Sequence, residues 1–146
     1  MNPAARVPPT VRLIFACDSV AGDGAGNIVV QNPRTHLRLP AGATFPFQVP
    51  RLSVYFQLVE GLGSFDVAVE MWRLVDDGTR RYVGTSPLIR SIGFTGPTRM
   101  IPQPRVEVLA PARFRAPGMY ELRVVEVTAD GSTPLGGMKA ILRVMA

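Results

Sequence analysis

The sequence predicts an all-β, antiparallel sandwich with Greek-key connections, folded as one domain of 146 residues. Three observations predict it. Short apolar runs rich in Val, Ile, Phe and Tyr recur along the chain, and several alternate with polar residues at period two. Turn clusters separate these runs at intervals of about 8–12 residues, the spacing of sandwiches and barrels. Gly and Pro number 14 each, which leaves little room for long helices, and no stretch shows helical amphipathicity.

Residues 1–10 hold Pro3, Pro8 and Pro9 and read as a flexible arm ahead of the single domain, 11–146. Residues 11–17 form the first strand. The cluster DSVAGDGAG, 18–26, is a turn, and 27–31 a second strand broken by Asn32-Pro33. Thr35, Leu37 and Leu39 then alternate with Arg34, His36 and Arg38, so both leucines face the core and the three basic side chains share the other face. Residues 40–50 form a proline-rich connector whose Phe45 and Phe47 plug an open end of the core. The runs 51–59, RLSVYFQLV, and 64–75, SFDVAVEMWRLV, read as an antiparallel hairpin turning at 60–63. In its second arm Phe65, Val67, Val69 and Met71 face one way. Asp66, Ala68, Glu70 and Trp72 face the other, with both acids in solvent. Beyond the Asp76-Asp77-Gly78 turn, 79–83 and 86–94 are weaker strands. Residues 95–105 form a long loop, 106–109 a short strand, and Pro117-Gly118 a turn. Tyr120 opens a long strand with Leu122 and Val124 on one face, and 135–145 closes the domain. The connectors 40–50 and 95–105 suit Greek-key crossovers.

Single copies of two residue types narrow the chemistry. Cys17 is the only cysteine and His36 the only histidine. One cysteine makes no intrachain disulfide, and the pair falls short of the four ligands of a zinc site. The segment before Asp18 is too short in apolar residues for a signal peptide, and no run is long enough to span a bilayer. A cytoplasmic protein is therefore expected. Net charge is +5, and 15 of the 16 basic residues are Arg, dispersed in runs no longer than Arg80-Arg81. Dispersed charge reads as a solvated surface, with nucleic-acid binding as a weaker reading.

Several pieces in order carry a resemblance. A first strand ends in Cys17-Asp18, and Phe45-Pro46-Phe47 precedes a hydrophobic strand. A glycine turn leads to FDVAVEMWRLVDDG, and Phe114 is followed by Pro117-Gly118-Met119-Tyr120. This order resembles a family of small uncharacterised bacterial β-sandwich proteins, similar to immunoglobulin-like and C2-like domains, over about residues 11–145. The resemblance implies the fold and carries no catalytic residue. Cys17 lacks the second cysteine of antibody domains, and the clustered Asp-x-Asp loops of calcium-binding C2 domains are missing.

Each candidate chemistry has a structural counterpart. His36 between Arg34 and Arg38 is a poor general base, because neighbouring cations depress its basicity. No nucleophile elbow is present. Cys17 beside Asp18 reads as a buried structural thiol. Glycine-rich 22–26 leads into a strand and not the helix a phosphate loop requires. Asp18, Asp23, Asp76, Asp77 and Asp130 lie in expected turns, where Asp-Gly chemistry explains them as well as calcium does. No catalytic residue, cofactor or metal is assigned. The interaction candidates are the Arg34-His36-Arg38 stripe, for which protection of an exposed strand edge or plain solvation is the favoured reading, and Trp72 on the Asp66/Glu70 face. The expected function is a non-catalytic protein-binding or accessory module, its partner another protein or a second copy. The alternative is a subunit of a larger particle, capsid or tail-like assembly that exchanges the N-terminal arm.

Overall fold

Alternation is strongest in two stretches, 62–74 and 118–128, and these become the two longest strands of the computed structural model. The structure describes residues 6–22, 28–49, 52–95, 103–108 and 112–146, and among them it is all-β. In chain order the strands are β1 (Thr10–Cys17), β2 (Ser19–Gly22), β3 (Ile28–Gln31), β4 (His36–Arg38), β5 (Phe47–Val49), β6 (Ser53–Val59) and β7 (Leu62–Leu74). There follow β8 (Arg80–Thr85), β9 (Ile89–Thr95), β10 (Gln103–Val108), β11 (Ala112–Phe114), β12 (Gly118–Thr128), β13 (Gly131–Pro134) and β14 (Ala140–Met145).

β7 and β12 pair antiparallel from Val67 opposite Glu126 to Leu74 opposite Met119. Each is long enough to take two partners on its other edge. β8 and β9 add to the two halves of β7, and β14 and β13 to the two halves of β12. β4 joins this sheet at one edge, parallel to β14, with Leu37 opposite Val144. A separate antiparallel sheet runs β1-β6-β10, and β2-β3 and β5-β11 form two-stranded ribbons. Side chains of both larger sheets enter one apolar core: Ile14 and Phe56 from one, Phe65, Val69, Leu122, Val124 and Leu142 from the other. The inward set expected for β7 and β12 is buried, and on the other face Ala68, Glu70, Glu121 and Val125 are buried as well. Phe45 and Phe47 are half-buried against this core, as the plugging expectation required.

One expected pairing is overturned. β6 and β7 follow each other through a two-residue link but lie in different sheets. β6 already carries β1 on one edge and β10 on the other, so no edge is left for β7. Glu60 takes a left-handed conformation at φ 64° to redirect the chain. A Cβ on Gly61 would lie 2.6 Å from the Phe94 ring, so this close approach needs glycine.

Other differences are of length. β2 arises within the expected 18–26 turn, and β5, β11 and β13 arise where no strand was read. Strands of three or four residues are too short to show a period. Within the expected arm, residues 1–5 lie outside the described residues. Val7 exchanges two backbone hydrogen bonds with Leu62, at 3.0 and 2.9 Å. Arg6 reaches the inward-facing Glu126 at 2.6 Å and sets its guanidinium over the Phe65 ring at 4.1 Å. A cation and an aromatic face thus cover the carboxylate that ends the core row of β12.

Two tertiary ties hold the ends of this core. The buried Tyr120 ring meets Phe114 edge-on at 5.0 Å, and its hydroxyl donates to the Ala116 carbonyl at 2.6 Å. At the entry to β14 the Val11 N–H donates to Gly136 at 2.8 Å, and Met138 donates back to the Val11 carbonyl at 2.9 Å. Gly137 between them has φ 102°, and a Cβ there would overlap Val11 backbone. Gly137→Ala is expected to lower stability by about 2 kcal/mol or more, from a forced positive φ plus the overlap. The neighbouring Gly136→Ala, which meets open space, should change it by less than about 0.5 kcal/mol. Urea unfolding of the two variants checks the contrast.

Candidate functional site

The outward residues of the large sheet form rows set by register. One row runs Tyr82, Trp72, Glu121, Ile141 across β8, β7, β12 and β14. The next pairs Glu70 with Arg123, and on the other side Leu74 lies opposite Met119. Trp72 therefore lies on the Asp66/Glu70 face, as alternation required. Its indole N–H donates to Glu70 Oε1 at 3.1 Å, and its ring meets Tyr82 edge-on at 5.5 Å. The Arg123 guanidinium covers the Trp72 ring at 4.7 Å and contacts the same Glu70 oxygen at 3.2 Å.

The expected solvent exposure of the two acids does not hold. The Glu70 side chain is 9% exposed, because Arg123 and Trp72 close over it. Asp66 is half-buried and accepts the Ser91 backbone N–H at 2.8 Å. Glu121 is buried too, between Arg80 at 3.4 Å and Lys139 at 3.9 Å. Glu70 and Glu121 are thus each matched by a basic side chain on this face, while Arg143, opposite Met119, forms no ion pair among the described residues. What protrudes is aromatic and aliphatic: Tyr82 is 56% exposed, Met119 40% and Ile141 38%. Sequence reasoning found Trp72 and missed Tyr82, Arg123 and Glu121. Their signal is cross-strand pairing, and it needs the strand order.

The basic stripe divides. His36 and Arg38 lie exposed on β4, with Leu37 packed against the core on the opposite side. Arg34 precedes β4 and turns away. Its backbone N–H donates to Ala16, and its guanidinium grips Asp18 through two bonds of 2.6 and 3.0 Å. Asn32 donates to the same carboxylate at 2.9 Å. These bonds, from Arg34 first and Asn32 second, hold the Asp18 carboxyl below its ordinary pKa. Of the stripe, His36 and Arg38 remain exposed, while the Arg34 charge is already matched by Asp18.

Cys17 is buried, and burial with the Asp18 charge pushes its thiol pKa up, away from the nucleophilic thiolate. Asp77 accepts the Thr79 N–H and hydroxyl at 2.9 and 2.6 Å, so its loop is closed by turn chemistry. Asp23 lies outside the described residues. Among the described residues no three of His, Cys, Asp or Glu gather in a way that could hold a metal. No described helix is long and apolar enough to cross a membrane.

No family model matches the chain, and no curated protein matches it either.

Two measurements check this geometry. Glu70→Ala strips the acceptor from Arg123 and Trp72, and is expected to cost about 2 kcal/mol in chemical denaturation, below the range for fully buried pairs because Arg123 keeps 15% exposure. Asp18→Asn is expected to lower Tm at neutral pH. Since the folded pKa of Asp18 is depressed, its stabilisation is complete above the usual carboxylate range of about 4 and vanishes as pH falls through the folded value. The Tm gap between wild type and Asp18→Asn should therefore close as pH drops below about 4.

Proposed function

We propose that the chain is a non-catalytic protein-binding module on an immunoglobulin-like sandwich, docking a partner protein on the outer face of its large sheet. The observation that carries this is the row Tyr82-Trp72-Ile141, with protruding aromatic and aliphatic groups over charges that are already paired. Interface centres are rich in Trp, Tyr and Arg and poor in unpaired charge. Beneath that row Glu70 and Glu121 already face Arg123, Arg80 and Lys139. The Arg123 and Glu70 contacts also hold the Trp72 ring in place, so little side-chain entropy is lost on docking.

Strand order supports the sandwich. The orders β1-β6-β10 and β14-β12-β7-β8 follow the A-B-E and G-F-C-C′ sheets of immunoglobulin-like domains, whose consecutive strands alternate between layers by Greek-key connections. Tyr120, at the start of the strand in the F position, bonds back to Ala116 as a tyrosine corner does. The buried, unactivated Cys17 and the exposed His36 support a non-catalytic role. An assembly subunit exchanging its arm draws less support, because Arg6 and Val7 are engaged with their own chain. Nucleic-acid binding through the dispersed arginines is weaker again, since five of the basic side chains face carboxylates.

The test introduces charge at the protruding positions. Tyr82→Arg with Ile141→Arg should leave Tm within about 3 °C, as surface changes do. It should reduce capture of a partner from source-cell lysate at least about tenfold by quantitative mass spectrometry, the loss of one interface anchor. Equal capture by wild type and variant would remove this face from consideration. Light scattering should give a species near 15.8 kDa before partner is added. A large discrete species would transfer the preference to the assembly subunit.

A further inference from the structure

A cleft of about 450 Å³ opens at the end of the core between the large sheet and the β5-β11 ribbon. Arg73, Arg81, Arg113, Arg115 and Tyr120 line it, with Val83 and the Tyr82 segment, and among the described residues no carboxylate does. Register explains the convergence. Arg81, Arg73 and Tyr120 lie opposite one another across β8, β7 and β12, one row beyond the last apolar pair of the core. From the ribbon, Phe114 packs into the core against Tyr120, and its exposed neighbours Arg113 and Arg115 border the same cleft. Arg80 and Arg81 are adjacent in sequence and therefore separate: Arg80 reaches Glu121 on the outer face, and Arg81 lines the cleft.

The charge state of this cleft differs from the rest of the surface. Arg6, Arg34, Arg80, Arg123 and Lys139 each face a carboxylate. Arg81, Arg113 and Arg115 form no ion pair among the described residues; Asp77, whose carboxyl Arg81 helps hold down, spends its hydrogen bonds on Thr79. Arg73 donates one long bond of 3.4 Å to the Pro117 carbonyl, and its Nε is buried with no acceptor. Arg73, Arg81, Arg113 and Arg115 thus gather like charge at one cleft with Asp77 near Arg81 as the one carboxylate acting on them among the described residues, a repulsion that a bound anion would relieve.

We propose that this cleft binds a compact phosphate-bearing anion of at least two negative charges. Four guanidinium forks offer more donors than the two oxygens of a carboxylate can accept, whereas linked phosphates supply enough oxygens for bidentate contacts. The volume lies within the range of small-ligand sites. A nucleic-acid strand would call for a basic groove tracking many phosphates, and these arginines surround one bounded cleft.

Isothermal titration of the full chain with inorganic pyrophosphate, at fixed ionic strength, tests it. Saturable binding of one equivalent is expected. Arg81→Gln, Arg113→Gln and Arg115→Gln together should weaken it at least tenfold; all three positions are exposed, so the fold tolerates them. The charge-matched triple Arg12→Gln, Arg38→Gln and Arg90→Gln should leave it within twofold. Equal loss in both triples would show a net-charge effect and overturn the site. Citrate binding as tightly as pyrophosphate would overturn the phosphate class. Binding of a single-stranded oligonucleotide with no response to pyrophosphate would overturn the small ligand in favour of a nucleic acid.

Discussion

The β7-β12 pair is the constraint on which the rest of the structure depends. Its register, Val67 to Glu126 through Leu74 to Met119, decides which residues meet on each face of the large sheet. Inward it aligns Val69 with Val124 and Met71 with Leu122, and these pairs form the centre of the core. Outward it places Glu70 beside Arg123 and Trp72 beside Glu121. A slip of one residue would exchange the two faces and bury the charges in the core. The outer surface and the arginine cleft are thus products of one alignment, read on opposite faces and at one end.

Buried charge is tolerated here because it is matched on the spot. Glu70 shares one oxygen between an indole N–H and a guanidinium, and Glu126 is met by Arg6 from the start of the described chain. Such pairs contribute little net stability compared with apolar packing, but losing one partner is costly. They act mainly as register marks, since only the native alignment brings each acid to its base. The same logic gives the cleft its character: among the described residues no carboxylate lines it beside its four arginines.

Much of the fold was legible in the sequence where strands are long. Alternation in 64–75 and after Tyr120 located the two central strands and their inward faces correctly, because each spans enough residues to show a period. Pairing was less legible. Sequence proximity suggested that 51–59 and 64–75 form a hairpin, yet two β6 edges were already taken by strands from residues 10–17 and 103–108. Partner choice depends on the whole set of strands, and no local pattern encodes it. The site followed the same division. Trp72 and its face were visible from alternation, while Arg34 left the stripe through a bidentate bond to Asp18, distant in sequence. The convergence of Arg73, Arg81, Arg113 and Arg115 from three separate segments carried no local signature at all.

Trp72 is the only tryptophan of the chain, and it sits in the middle of the proposed docking face against Tyr82 and Arg123. The intrinsic fluorescence of this protein therefore has a single source at a known address. Its emission maximum and quenching report the polarity and coverage of that one surface, without a label and without interference from a second indole. The arginine cleft reaches the same chromophore through Tyr82, which lines the cleft and meets the Trp72 ring, so occupancy of either surface is read at one residue.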